Sequence, residues 1–151
     1  MTEDITIIPD TKVKIITYVL DDDKEELELL RLQLEKVCGC DLQTYSDHKE
    51  FLAAIEQGVH VAIIDYVLNA PTDGIDIGAK VLSKNPLCYL VLFTGSQDWK
   101  VYQRAMNTGF KCSVYKNAID SYERVANAVQ KQLTGIVERI DIFNKWFVKA
   151  H

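Results

Sequence analysis

Four short stretches of this chain each end abruptly on a polar residue, and that repeated ending limits what the chain can fold into. Residues 13–20 run into Asp21-Asp22-Asp23, 61–64 into Asp65, 89–93 into Thr94, and 113–115 into Lys116. Short apolar runs rich in Val and Ile, bounded by polar residues, read as buried strands of a parallel sheet. In open α/β sheets the ligand site lies beyond the carboxyl ends of the strands. Three acids, a hydroxyl and an ammonium therefore meet along one edge, which suits a hard cation and a phosphoryl group.

Between these strands the spacing turns helical, so the chain reads as βαβ crossovers. Residues 24–37 place Leu27, Leu30, Leu34 and Val37 on one face, and Gly39 closes that helix. A short strand at 42–45 follows, then a helix capped by Ser46 or Asp47 that runs through Ile55 and ends at Gly58. After a turn-rich loop at 69–74, a helix spans 75–83 and stops before Asn85-Pro86. A strand at 88–93, a helix at 97–107 ending at Gly109, and a strand at 112–115 complete the alternation before a last helix from near Ala118. Five strands and five helices in 151 residues make one domain.

The tail has a different rhythm. Apolar residues at Tyr122, Ala126, Val129, Leu133, Ile136, Ile140, Phe143 and Phe147 alternate gaps of four and three, a heptad pattern. Two arrangements fit it: the second half folds back locally, or one continuous helix projects and pairs with a partner such as a second copy of the chain. Gly135 costs a mid-helix position about 1 kcal/mol. In either case Ile136, Ile140, Phe143, Trp146 and Phe147 form a stripe that needs a cover.

Other classes are poorly matched. No apolar run approaches the roughly 20 residues that span a bilayer, so no membrane association is expected. The acidic start, Met1-Thr2-Glu3-Asp4, lacks a signal-peptide pattern and points to the cytosol. With a net charge of −5 and no basic cluster, the chain lacks the electrostatic footprint of a nucleic-acid binder. Cys38, Cys40, Cys88 and Cys112 read as reduced and packed, and the lone Cys38-Gly39-Cys40 makes a weak zinc site. His48, His60 and His151 are scattered and read as surface or loop residues.

At the strand ends the residue types suit one chemistry. Magnesium takes oxygen ligands in octahedral geometry, usually one or two carboxylates with waters. Asp21, Asp22 and Asp65 supply those carboxylates. A carboxylate can also be a covalent nucleophile that forms an aspartyl phosphate. Lys116 would add fixed positive charge at the phosphoryl oxygens and Thr94 a hydrogen bond, with Gly95 leaving room for entry.

This set resembles the receiver domain of two-component response regulators over residues 12–133. That family has an acid pair after the first strand, a phosphoacceptor Asp after the third, a Thr or Ser after the fourth and a Lys after the fifth. These fall on Asp21 and Asp22, Asp65, Thr94 and Lys116. Asp73-Gly74 resembles the family's Asp-Gly, and Ala105-Met106-Asn107-Thr108-Gly109 its Ala-x-x-x-Gly. The resemblance implies a flavodoxin-like (βα)5 three-layer sandwich with a parallel five-stranded sheet of order 2-1-3-4-5, to which the heptad tail adds a C-terminal helical extension. It divides the chain into an N-terminal extension (1–11), a receiver domain (12–133) and an extension of the last helix (134–151). It implies phosphorylation of Asp65 with Mg²⁺ held by Asp21, Asp22, Asp65 and the backbone carbonyl of Val67, Asp22 being favoured for direct contact. The phosphoryl donor would be a histidine kinase or phosphotransfer protein. The output would be a switched surface around residues 97–132 that binds a downstream protein, so the chain is a relay and not an enzyme in the ordinary sense.

The chain departs from the family at three places. Ser113 stands where a Tyr or Phe is usual, although Tyr115 shares its side of the strand by period-two alternation. Asn117 follows Lys116 where proline is usual, and the loop from Asp65 to Gly74 is one residue longer, with Pro71 displaced. Three other readings start from the same residues. One is a receiver-like binding module that works without phosphorylation. A second is a haloacid-dehalogenase-like phosphatase with Asp21 as nucleophile. Its pattern wants Thr or Val where Glu25 stands, and a late acid pair where Asp120 and Asp141 are isolated. A flavodoxin-like flavin site is the third, but Asp21-Asp22-Asp23-Lys24 replaces its phosphate loop.

Overall fold

Side chains alternate across a strand, and in the first strand that alternation feeds two separate cores. Tyr18 and Leu20 pack with one set of buried residues and Val19 with another. The computed structural model describes residues 16–36, 41–68 and 70–149, with side chains up to 135. Its strands are β1 (Ile16–Leu20), β2 (Asp41–Tyr45), β3 (Val61–Asp65), β4 (Tyr89–Thr94) and β5 (Phe110–Tyr115). They form one parallel sheet in the order β2-β1-β3-β4-β5, the flavodoxin-like arrangement. β3 is central and buried at all five positions, which is why its sequence is a continuous apolar run instead of an alternating one.

The helices are α1 (Lys24–Glu35), α2 (His48–Ala54), α3 (Gly74–Lys84), α4 (Trp99–Thr108) and α5 (Ser121–Lys149), with one 3₁₀ turn at Ile55–Gln57. One face of the sheet packs Phe51, Ile75, Ile77, Val81 and Ala105 from α2, α3 and α4. The other packs Leu27, Leu30 and Leu34 of α1 with Val125, Ala126, Val129 and Leu133 of α5. Four helices start at an aspartate whose carboxylate accepts from a backbone amide of the first turn: Asp23, Asp47, Asp73 and Asp98. Asp73 and Asp76 complete a reciprocal capping box.

Several boundaries differ from the sequence expectation for local reasons. The Asp98 cap starts α4 at Trp99 instead of Gln97. α5 begins at Ser121, after turns in which Ala118 bonds back to Tyr115 and Ser121 to Ala118. β5 begins earlier, at Phe110, because a bulge separates the Leu90–Phe110 pair from Val91–Cys112 and leaves Lys111 as the extra residue. Beyond that bulge Cys112 and Val114 turn to the α1/α5 core, leaving Ser113 and Tyr115 on the opposite side. α1 ends at Glu35; Val37, Gly39, Cys38 and Cys40 lie outside the described residues.

α5 runs unbroken through Gly135 for 29 residues, about 44 Å at 1.5 Å per residue. Of its heptad positions, Ala126, Val129 and Leu133 are buried in the domain core; the side chains from Ile136 onward lie outside the description. Cys88 and Cys112 are free thiols. His60 lies in the loop before β3, as the sequence suggests, and is half-buried there: its Nδ1 accepts the Ile16 N–H at 2.9 Å, and burial lowers its pKa. No described helix is long and apolar enough to cross a membrane.

Candidate functional site

Register brings the strand ends level. Leu20 pairs with Ile64, Asp65 with Phe93 and Thr94 with Tyr115, so the residues that follow each strand share one edge. There Asp21, Asp22 and Asp65 each offer a carboxylate oxygen within 4.8 Å of the others. Asp21 and Asp65 are buried, and Asp22 is half-buried. Lys116 reaches in from the end of β5, its Nζ 2.9 Å from Asp21 Oδ2 and 3.0 Å from Asp65 Oδ1. The ammonium also lies 5.4 Å from the centroid of the Phe93 ring, which forms an apolar wall on that side. The other Asp21 oxygen accepts the Asp23 N–H at 2.9 Å and turns the chain into α1.

This crowding sets the electrostatics. Burial pushes the Asp65 carboxyl up to about 7, the neighbouring Asp21 adds to the rise, and Lys116 opposes it. Burial alone would lower the Lys116 pKa, but Asp21 and Asp65 outweigh it and hold the ammonium above its usual value. Three carboxylates stand against one ammonium. When all three are ionised, a net charge of two minus is left for a divalent cation to balance. The donor set consists of hard oxygens, which is what Mg²⁺ selects, so the residues fit that ion.

The loop that follows Asp65 returns tightly onto β3. Gly74 N–H donates to the Tyr66 carbonyl at 2.8 Å. A Cβ on Gly74 would lie 1.9 Å from the Asp65 carbonyl oxygen, so only glycine fits directly after the Asp73 cap. Val67, two residues beyond Asp65, exposes its side chain to solvent. Thr94 is fully buried. Its carbonyl accepts the Lys116 N–H at 2.7 Å, and its Oγ1 accepts the Ser96 N–H at 3.0 Å. That leaves the threonine proton free to donate. A Cβ added to Gly95 would meet nothing within 4 Å, so the space beside Thr94 is open. No peptide bond among the described residues is cis, that between Lys116 and Asn117 included.

The structure thus brings Asp21, Asp22, Asp65 and Lys116 into one cluster, with Thr94 bonded to Lys116 along the backbone. Sequence reasoning missed the residues that hold this edge to α4. The guanidinium of Arg104 bonds Asp73 and Asp76, both at 2.7 Å, and ties α4 to the start of α3. Burial raises the Asp73 carboxyl, but Arg104 overcomes that and holds it below its usual range. The Tyr102 hydroxyl donates to the Ser96 carbonyl. Only Ser96 carried a local signal, the spacing of a Thr-x-Ser turn; Arg104 finds its partners 28 and 31 residues away.

No protein-family model matches the chain. No curated protein matches it either. Solved structures do. A BeF₃-activated receiver domain, DrrB, superposes with a TM-score of 0.72 at 22% identity, covering 81% of this chain and 99% of that one. A CheY-like response regulator receiver domain protein from Methanospirillum hungatei gives 0.69 at 21% identity, covering 82% and 99%. A two-component response regulator from Clostridium difficile gives 0.71 at 19%, covering 80% and 97%. The structural neighbours of this chain are response regulator receiver domains of two-component systems, and the chain shares their fold.

Proposed function

We propose that the chain is a phosphoacceptor receiver of a two-component phosphorelay and that Asp65 takes the phosphoryl group. The observation that carries this reading is the Lys116 ammonium lodged between the buried Asp21 and Asp65 carboxylates at the carboxyl end of the sheet. An Asp65 oxygen attacks phosphorus, the bond from phosphorus to the donor breaks, and the leaving group departs with its electron pair. Lys116 supplies positive charge to the phosphoryl oxygens that then replace its carboxylate partner, and the free Thr94 proton donates to another. Asp21, Asp22, Asp65 and the Val67 carbonyl would hold Mg²⁺. When bound, such an ion offsets the repulsion between an anionic nucleophile and an anionic donor.

The donor is a histidine kinase or phosphotransfer protein, and the cytoplasm is the compartment in this reading. The output is a protein partner on the surface of residues 97–132, with a second copy of the chain meeting the heptad stripe. Unchanged sedimentation of a chain ending at Leu133 would exclude that second copy. Asp23 speaks against Asp21 as a phosphatase nucleophile, because its carboxylate accepts the Glu25 and Glu26 amides as the cap of α1 and is not held as a proton donor. Incubation with Mg²⁺ and acetyl phosphate, followed by mass spectrometry, tests the proposal. One phosphoryl group on the wild type and none on Asp65→Asn is expected; an unmodified wild type overturns the reading, and a group on Asp21 transfers it to the phosphatase.

A further inference from the structure

We infer that Tyr102 of α4 is the positioning residue that reads the state of Thr94, standing in for the aromatic side chain that β5 lacks at Ser113. This rests on Asp65 being the phosphoacceptor. Two hydrogen bonds in series carry it. Thr94 Oγ1 accepts the Ser96 N–H at 3.0 Å, and the carbonyl of the same Ser96 accepts the Tyr102 hydroxyl. The threonine oxygen that would serve the phosphoryl group is therefore coupled through one residue of backbone to the first turn of α4.

The rest of the loop leaves this link as the direct path. The Ser96 side chain accepts only the Asp98 N–H, at 3.1 Å, which shapes the approach to the α4 cap. Gly95 has no neighbour within 4 Å of a Cβ position, so packing does not hold the loop from that side. On β5, Ser113 is exposed and has no ring to follow Thr94. Tyr115 makes one long contact through its hydroxyl, 3.4 Å from Asn117 Nδ2. Farther along α4, Arg104 is fixed to Asp73 and Asp76. A pull at Tyr102 thus acts on a helix anchored two residues later, and its first turn carries Trp99, 64% exposed. Drawing the Thr94 hydroxyl toward a phosphorylated Asp65 shifts the Ser96 peptide, and the Tyr102 hydroxyl carries that shift into α4.

Trp99 is a built-in reporter once the second tryptophan is removed by Trp146→Phe. In that background, acetyl phosphate and Mg²⁺ should change Trp99 emission in step with phosphoryl uptake read by mass spectrometry on the same samples. With Tyr102→Phe added, which keeps the ring and removes only the donor, the emission change per phosphoryl group should fall to about one fifth. Tyr115→Phe should leave it unchanged. Full uptake with an undiminished Trp99 response in Tyr102→Phe overturns the role of Tyr102 while leaving the phosphoacceptor reading intact. A loss with Tyr115→Phe in place of Tyr102→Phe also overturns it. No uptake by the wild-type chain removes both.

Discussion

The two ends of the sheet solve the same problem, burying polar groups, in opposite ways. At the amino end the partners are neutral and each polar group has one. Asn85 Oδ1 accepts the Val59 N–H and its amide donates to the Ile55 carbonyl, both at 3.2 Å. His60 accepts the Ile16 N–H through Nδ1, while its own backbone N–H donates to the Ile16 carbonyl. At the carboxyl end, Asp21, Asp22 and Asp65 face one lysine. Neutral hydrogen bonds made in full add modestly to stability, whereas like charges gathered out of water subtract from it. The first end holds the fold together. The second is kept in a state that a divalent cation would relieve, and that imbalance is what marks it as the candidate site.

The sharpest way to break this contrast is to remove the one counter-charge. Lys116→Met leaves two buried carboxylates without an ammonium and should cost about 3 kcal/mol in urea denaturation with chelator present. Added Mg²⁺ should recover part of that loss. A loss well under about 1 kcal/mol would mean that the cluster is not under electrostatic load.

Asp65→Asn should act in the opposite direction. The folded-state pKa of Asp65 is raised from 3.8 to about 7, so the fold favours its protonated form. The stability contributed by that proton is fully present below about 4 and is lost as pH rises through about 7. An amide cannot ionise, so in metal-free buffer at pH 8 the variant should be more stable than wild type, by about 2 kcal/mol. The gap should close as the pH falls to about 4, and Mg²⁺ should narrow it by stabilising the wild type alone. Thermal melts across that range decide it; a variant less stable than wild type at pH 8 would show that the Asp65 charge is well accommodated.

Much of the carboxyl end was legible because strand endings are a local signal. A continuous apolar run such as 61–64 that stops at an acid places that acid at the edge by chain geometry alone, and the same holds for Asp21, Thr94 and Lys116. The Asp47 cap of α2 is also local and was one of the two residues the sequence offered there, whereas the caps at Asp23, Asp73 and Asp98 were not singled out and the sequence pattern starts α4 two residues early. What escaped was long-range or depended on register. The bulge at Lys111 follows from packing Phe110 on one core and Val114 on the other, which no window of sequence displays. Arg104, Tyr102 and His60 owe their roles to partners 28, 6 and 44 residues away, so no local pattern singled them out.

At the amino end the effects should be smaller and indifferent to Mg²⁺. Asn85→Ala strips the Val59 N–H of its partner, leaves the Ile55 carbonyl with the Gly58 N–H alone, and should cost about 1.5 kcal/mol. The same loss with and without the ion would separate this end from the site; a metal-dependent loss would join them.

The finest distinction is at His60, where the neutral end carries its own pH limit. Its Nδ1 can accept the Ile16 N–H only while unprotonated. Burial lowers its pKa from 6.5, so its contribution is present above 6.5 and is lost as pH falls through the lower folded value. Between pH 7 and pH 5 wild type should therefore lose about 0.5–1 kcal/mol more than His60→Gln, which has no proton to take up. Over the same interval Asp65 becomes protonated and adds stability, so the two ends have opposite slopes. Asp65→Asn is the background in which the His60 slope stands alone, and a slope there that His60→Gln leaves unchanged would show that the imidazole bond contributes nothing.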